Sequence, residues 1–230
     1  MRWNRPAGAA GITYVALAFV EFFGPEFPNT GASAALLDAH FVAHRSWYLA
    51  AVVVQGVGNA MWVAFLCGLV LLIHRAGCTA AASVALAGGA LNVAISLTGL
   101  AAIAAIAFRI AGGGDPSLTM AFFEFAAMTL VLSNFQLALM AAAVAASAPV
   151  RWFRWASGVA AVVFAVGGAA LARHGVLSPD GAIQFATYAL ELLWTLAAGV
   201  ILLRAHPVAQ PTPSKLANRV EMSTSRALAR

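Results

Sequence analysis

Six long, nearly charge-free apolar stretches occupy most of this 230-residue chain and determine the solvent in which it can fold. Hydrophobic residues make up 62% of the sequence and charged residues only 9%, whereas a soluble domain has about a quarter of its residues charged. A helix needs about 20 mostly apolar residues to cross a hydrocarbon core about 30 Å thick. The stretches meet or approach that length, and they run over 7–23, 47–73, 80–108, 118–146, 155–172 and 182–203.

These stretches predict an all-α fold, a polytopic transmembrane helical bundle of six spans. The links between them are too short for a separate soluble domain, so residues 1–205 are expected to form one transmembrane domain of antiparallel neighbours. The longest link, 24–46, begins with prolines and glycines that break regular structure, and its second part, 32–45, predicts a short surface helix. Residues 206–230 are rich in proline, serine and charge, which predicts a disordered basic cytoplasmic tail.

Basic residues are unevenly divided between the two sides of the predicted bundle. With six spans both termini share one side, and ten of the 13 Lys and Arg residues fall there, against Arg45, Arg109 and Arg173 on the other. The positive-inside rule therefore predicts that both termini are cytoplasmic. This segregation accounts for the net charge of +5. We therefore expect membrane lipids as partners and no nucleic acid. The abundance of arginine and alanine is typical of bacteria, so we expect a multi-pass protein of the inner (plasma) membrane.

Polar side chains within the apolar stretches share helical faces and predict the bundle interior, because a polar group in hydrocarbon needs a protein or water partner. Spacings of three and four residues bring each set to one face. On the second stretch the set is Gln55, Asn59 and Trp62, and on the sixth it is Gln184, Tyr188, Glu191 and Thr195. We predict a polar pocket that opens outward and binds its ligand through Gln55, Asn59, Trp62, Asn92, Tyr188 and Glu191.

Two glutamates within the predicted spans are candidates for catalysis. Glu191 lies near the middle of its span with no basic residue at its depth, so its side chain must be protonated, paired or hydrated. We expect a protonated acid that is hydrogen-bonded to Asn59 or Asn92, and a carboxyl group kept protonated by burial is a competent general acid. Glu124 lies closer to the outer surface, about 9 Å deep. A purely structural hydrogen bond remains the alternative for Glu191.

The histidines offer only weak metal ligands and no haem site. His40 and His44 are four residues apart, so a helix would bring both imidazoles to one face where zinc could bind, although a solvated surface helix explains the same spacing. Within the predicted spans there is no histidine, and the chain has no Cys-x-x-Cys-His motif, which excludes b-type and c-type haem. Its only lysine, Lys215, lies in the tail, which excludes a retinal Schiff base in the bundle. We therefore expect no cofactor.

Three short motifs lie within or next to the apolar stretches. The chain opens with Arg-Pro-Ala-Gly at 5–8 and closes its first apolar stretch with Glu-Phe-Phe at 21–23. Its last stretch contains Glu191 and Trp194 followed by Gly199, and Pro-Val-Arg-Trp at 149–152 precedes the fifth stretch. In these motifs the chain resembles a family of uncharacterised bacterial six-helix integral membrane proteins, a domain of unknown function. The resemblance implies six helices and points to Glu21 and Glu191, but the family has no established activity.

Three classes of function fit the sequence. The first is a binding or accessory protein for a small molecule or lipid, with an outward-opening polar pocket. The second is an intramembrane enzyme that acts on a lipid or isoprenoid with a buried glutamate as general acid. The third is a structural subunit of a membrane complex. Because the spans contain neither a central proline break nor an inverted repeat, a transporter is disfavoured, and we predict the binding or accessory class, with catalysis less favoured.

Overall fold

The computed structural model describes residues 3–26, 31–172 and 175–204, and it confirms the all-α prediction. Ala- and Leu-rich runs favour helix, and no strand interrupts them within these residues. A 3₁₀ turn (Phe19–Phe23) follows the first helix and a π-helical turn (Ile106–Ile110) follows the fourth. The α-helices of the described residues are α1 (Asn4–Ala18), α2 (Ala34–Ala43), α3 (Arg45–Arg75), α4 (Thr79–Ala105), α5 (Pro116–Ser147), α6 (Arg151–Gly168) and α7 (Ala182–Arg204).

Four helices of the described part are long and apolar enough to cross a membrane: α3, α4 with its π-helical turn, α5 and α7. Many of their large apolar side chains face outward, for example Val53, Leu130 and Leu193, whose exposed fractions are 66%, 53% and 64%. A contiguous outer surface of this kind suits lipid rather than water. These features indicate a membrane-embedded helical protein.

The other two helices that the sequence predicts as spans are shorter. α1 has 15 residues and continues into its 3₁₀ turn, and α6 has 18 residues. α6 runs over 151–168 instead of the expected 155–172, because Arg151 and Arg154 belong to its first turns and Gly167 and Gly168 end it. Arginines at a helix end can extend toward water while the helix continues into an apolar layer, so counting apolar residues alone misplaced its start. The tail predicted for 206–230 lies outside the described residues.

The six described helices other than α2 form a ring in which sequence neighbours are also spatial neighbours. Each of α1, α3, α4, α5, α6 and α7 packs on the next in this order, and α7 returns to pack on α1. Short links between successive helices produce such an antiparallel arrangement. We call the end where α1, α4 and α6 begin the arginine end, and the opposite end, which carries α2, the α2 end. The described arginines of the arginine end are Arg5, Arg75, Arg151, Arg154 and Arg204.

Glycines let the helix backbones approach closely on both sides of the ring. A Cβ atom on Gly8 of α1 would lie only 2.6 Å from the carbonyl oxygen of Gly199 on α7. A Cβ atom on Gly88 of α4 would lie 2.9 Å from the carbonyl oxygen of Gln136 on α5. Small residues at helix contacts serve the same purpose in other membrane bundles, where van der Waals packing replaces the hydrophobic effect.

Aromatic side chains fill the centre of the ring and touch one another from α3 to α6. Phe65 meets the edge of Trp194 with ring centroids 6.4 Å apart, and Phe153 stacks on Trp194 at 5.6 Å. The Trp194 indole Nε1 donates a hydrogen bond of 2.9 Å to the hydroxyl oxygen of Ser157. Phe65 is fully buried, and Trp194 and Phe153 are only 4% and 2% exposed, so the centre of the bundle is packed rather than a pore.

The short helix predicted within 32–45 is present as α2, and it packs on α5 and on the π-helical turn that follows α4. The Asp38 carboxylate accepts hydrogen bonds from the Gly112 amide at 3.1 Å and from the Thr119 hydroxyl at 2.7 Å. Arg45 donates to the carbonyl oxygen of Ala111 at 2.7 Å. Since Gly112 has a φ of +77°, a left-handed turn that favours glycine presents its amide to Asp38. These bonds fix α2 across the α2 end of the bundle.

Candidate functional site

One polar contact between helices involves Glu191, the carboxyl group that the sequence places near the middle of its span. The Tyr14 hydroxyl on α1 donates a hydrogen bond of 2.9 Å to Glu191 Oε1 on α7. Both side chains are half-buried. The contact lies toward the α2 end from the close approach of Gly8 and Gly199, so the interface between α1 and α7 is closed at the arginine end and polar further along.

α3 contributes the third wall of this site. The Trp62 indole meets the edge of the Tyr14 ring with centroids 6.5 Å apart and an interplanar angle of 71°. One turn earlier, Gly58 leaves room beside Tyr14: a Cβ atom there would lie 3.7 Å from Tyr14 Cδ2 and equally far from Gln55 Oε1. Gln55 is half-buried, whereas Trp62 is 2% exposed. The structure therefore brings the predicted residues Gln55, Trp62 and Glu191 to one region, with Tyr14 between them.

Tyr188 lies one turn before Glu191 on α7, on the side of the α2 end. Its ring is 6.1 Å from the ring of Phe22, which belongs to the 3₁₀ turn after α1. That turn then passes α3, because Gly24 lies against the Trp47 indole, where a Cβ atom would be 2.6 Å from Nε1. The 3₁₀ turn thus covers the site from the α2 end. We call the region formed by the half-buried Tyr14, Gln55, Tyr188 and Glu191 together with the buried Trp62 the Glu191 crevice.

The two asparagines expected to bond Glu191 do not do so. Asn59 donates through Nδ2 to the Gln55 carbonyl oxygen on its own helix at 2.9 Å, and Asn92 Oδ1 has no hydrogen-bond partner among the described residues. That expectation was wrong because helical periodicity gives the face of a residue but not its rotamer, and an asparagine can bond its own helix backbone. The partner found, Tyr14, lies in the second half of α1. The sequence signal that could have identified it is a polar side chain within the first apolar stretch.

Three buried polar atoms of the interior have no hydrogen-bond partner within the described part of the chain: Trp62 Nε1, Asn92 Oδ1 and Thr195 Oγ1. Their residues are 2%, 5% and 0% exposed. Two of them adjoin the crevice, since Trp62 packs on Tyr14 and Thr195 follows Glu191 by one turn of α7. A buried donor or acceptor without a partner costs about 1–3 kcal/mol, which makes these atoms candidates for contact with a bound molecule.

Gln184 belongs to the predicted stripe of α7 but not to the crevice. Its Oε1 accepts a hydrogen bond of 3.1 Å from Asn134 Nδ2 on α5. The polar stripe of α7 therefore contacts two different helices: Gln184 is hydrogen-bonded to α5 and Glu191 to α1.

Glu124, the second catalytic candidate, is exposed on α5. In the ring α5 lies opposite α1, so Glu124 does not join Tyr14 and Glu191. The two predicted carboxyl groups thus do not form a pair that could share acid and base roles.

His40 and His44, the weak metal candidates, lie together at the α2 end. Their ring centroids are 4.7 Å apart, and His40 Nε2 and the Tyr48 hydroxyl share a hydrogen bond of 2.8 Å. Burial, and then the neighbouring charge of His44, lower the pKa of His40 below its usual 6.5. Among the described residues no three His, Cys, Asp or Glu side chains are grouped to hold a metal ion. The pair is therefore positioned for hydrogen bonding at the junction of α2 and α3.

Comparison of the chain with protein-family models, curated proteins and solved structures gave no significant match. The resemblance noted in the sequence therefore rests on its short motifs. Over the residues that the structure describes, the fold defines an all-helical protein with four helices of membrane-spanning length.

Proposed function

We propose that this chain is a membrane-embedded binding protein whose ligand occupies the Glu191 crevice. The observation that carries the proposal is the Tyr14–Glu191 hydrogen bond, which joins α1 to α7 at half-buried positions in otherwise apolar helices. Tyr14, Gln55, Tyr188 and Glu191 all retain partial exposure, so a molecule outside the bundle can reach their side chains. Polar and ionisable groups of this kind mark functional sites in membrane proteins.

The lining of the crevice suits a small amphipathic molecule, either a lipid or a small hydrophobic compound with one polar group. Tyr14 and Tyr188 supply aromatic surface, and Glu191 and Gln55 supply acceptors and donors. Ligand sites commonly combine mostly apolar walls with a few polar groups that fix orientation. Trp62 Nε1 and Thr195 Oγ1 are further groups that a ligand could engage.

Native mass spectrometry of the full chain, ejected from detergent micelles, tests this proposal. We expect an adduct of defined mass on the unaltered protein. Tyr14→Phe and Glu191→Gln should each reduce that adduct about tenfold, the ratio expected for losing a hydrogen bond to a charged or strongly polar group. Ser157→Ala is the matched control, because it also removes one interhelical hydrogen bond, to Trp194, but outside the crevice.

Each alternative function has its own outcome in this experiment. An adduct that Ser157→Ala removes as completely as Tyr14→Phe does would contradict a crevice-specific ligand. A chain without any adduct, in which Tyr14→Phe lowers stability alone, would indicate a structural subunit. A change in the mass of an added lipid or isoprenoid that depends on Glu191 would indicate the enzyme.

We also propose six crossings of a bacterial inner membrane with both termini cytoplasmic. α1 is about 22 Å long at 1.5 Å per residue, and its 3₁₀ turn adds about 10 Å; α6 is about 27 Å long. Both lengths are close to the hydrocarbon thickness of about 30 Å. The described arginines at the arginine end support its cytoplasmic position.

Single cysteines test this topology in a chain whose own Cys67 and Cys78 have been replaced. We expect a membrane-impermeant maleimide to label Ser33→Cys in intact cells, because position 33 precedes α2. Ser223→Cys should react only after the cells are opened. Labelling of position 223 in intact cells would overturn the proposed orientation.

A further inference from the structure

A groove outside the Glu191 crevice opens on the surface of α7 at the arginine end. It has a volume of about 640 Å³, and it lies between the last turn of α3, the α5–α6 link and the C-terminal half of α7. Its walls are almost wholly apolar. Its lining includes Leu72, Val150, Trp152, Leu193, Ala197 and Arg204.

Exposed tryptophans near the groove indicate its depth in the membrane. Trp3, Trp152 and Trp155 are 40%, 58% and 73% exposed, and all three lie in the first residues of α1 and α6 or just before them, at the arginine end. Tryptophan concentrates at the level of lipid headgroups, where its ring is half in hydrocarbon and its N–H meets water. The groove therefore begins at headgroup level near Trp152 and extends along Ala197 and Leu193 toward the apolar layer.

The described charged side chains at the mouth of the groove are all positive. Arg204 lines the groove, and the exposed side chain of Arg151 lies on the residue between Val150 and Trp152, which both line it. The described acidic residues either belong to the α2 end or, like Glu191, lie within the bundle: Glu21, Glu26, Asp38, Asp115, Glu124, Asp180 and Glu191. An anionic group at this mouth thus meets arginines with no nearby described carboxylate to compete for them.

We propose that the groove binds one anionic phospholipid, with its phosphate at Arg151 and Arg204 and an acyl chain along Leu193 and Ala197. An apolar channel that ends in arginines at headgroup depth matches the two parts of such a molecule, and basic pockets between transmembrane helices are known to bind acidic lipid headgroups. Arginine suits the role because its planar guanidinium can bind two phosphate oxygens at once. This site is independent of the Glu191 crevice and does not rest on its ligand.

Lipid titration of the purified full chain in a neutral detergent tests the charge selection. The probes are dioleoyl phosphatidylglycerol and dioleoyl phosphatidylcholine, which have the same acyl chains, and bound lipids are counted by native mass spectrometry. We expect phosphatidylglycerol to bind about 25-fold more tightly, since each arginine near the headgroup contributes about fivefold. The double variant Arg151→Gln/Arg204→Gln should lose that preference, and Arg151→Lys/Arg204→Lys should retain much of it.

Arg109→Gln is the control for the single variant Arg204→Gln, because Arg109 lies at the α2 end in the π-helical turn. It removes a positive charge from the same chain but should leave the lipid preference unchanged. An equal loss in Arg109→Gln would mean that overall charge, not the groove, selects the lipid. Equal binding of both phospholipids would overturn the proposal as well.

A photoreactive p-benzoylphenylalanine at Leu196, which also lines the groove, identifies the occupant in native membranes. The proposal requires crosslinks to phospholipid. Crosslinks to residues 205–230 of the same chain, or to a second copy, would show a protein occupant and would contradict it.

Discussion

The interfaces α4–α5 and α1–α7 are both closed by glycine, but they use their polar side chains in different ways. On α5, Thr129 and Ser133 donate to carbonyl oxygens of their own helix, at 2.7 Å in each case, and both are nearly buried. On the other side of the ring, Tyr14 reaches from α1 to Glu191 on α7, and both remain half-buried. A polar group whose hydrogen bond lies within its own helix needs no partner on a neighbouring helix. A group that bonds across helices at a partly open position is the better candidate for a site.

The largest loss of stability should come from adding a side chain where the backbones of α4 and α5 approach each other. Gly88→Ala places a Cβ atom 2.9 Å from Gln136 O and 3.1 Å from the Met140 amide nitrogen, and these backbone atoms cannot move aside as a side chain can. We expect a loss of about 1–3 kcal/mol in the free energy of unfolding, measured by thermal unfolding in detergent.

Gly56→Ala is the control for this substitution, because a Cβ atom at Gly56 meets nothing within 4 Å. Alanine has the higher helix propensity, so this variant should be neutral or more stable by up to about 1 kcal/mol. Equal destabilisation by both variants would mean that α4 and α5 are not in close backbone contact.

A smaller effect should follow from breaking the bond across α1 and α7. We expect Tyr14→Phe to lower stability by about 0.6–2 kcal/mol, the range measured for hydrogen bonds between transmembrane helices. Glu191→Gln keeps an acceptor for the Tyr14 hydroxyl and should cost less. If Glu191→Gln destabilises more than Tyr14→Phe, then the carboxyl group has a further structural role, and the comparison between the two interfaces weakens.

Thr129→Val should have an effect below about 0.6 kcal/mol, although Thr129 is more deeply buried than Tyr14. The substitution keeps the shape of the side chain and removes only a bond to the Ala126 carbonyl oxygen of the same helix, which already belongs to the helical turn. Parallel unfolding of Thr129→Val and Tyr14→Phe measures the difference directly. A greater loss in Thr129→Val would reverse our assignment of the two interfaces.

The smallest expected effect is a pH-dependent loss of stability that is confined to α2. Because the folded protein lowers the pKa of His40 below 6.5, the undocked state binds more protons as pH falls through that value, and the docked state loses stability. We expect amide hydrogen exchange in α2 to increase between pH 7.5 and 5.5, after correction for intrinsic rates, with no change in α5 or α7. His40→Gln should remove this dependence, and His74→Gln, at an exposed position, should retain it.

Polar periodicity predicted which faces of α3 and α7 turn inward, and Tyr14 of α1 contacts both Trp62 and Glu191 on those faces. It did not predict how each polar group is satisfied. Asn59 bonds its own backbone, Gln184 bonds Asn134 on α5, and Glu124 is exposed on the helix opposite α1. A helical face is a local property of spacing, whereas a partner depends on the tilt, offset and rotamers of two helices together.

The sequence by itself determined the helical class, the apolar layer and the approximate helix bounds, because a run of apolar residues is incompatible with water and backbone groups in lipid must bond within the helix. Only the tertiary structure decided that α7 returns to α1, that Tyr14 is the partner of Glu191, and that α3, α6 and α7 leave an apolar groove ending at Arg204. These features arise from where glycines let backbones meet and where larger side chains hold them apart. Such close packing is a property of helix pairs, and no single stretch of sequence contains it.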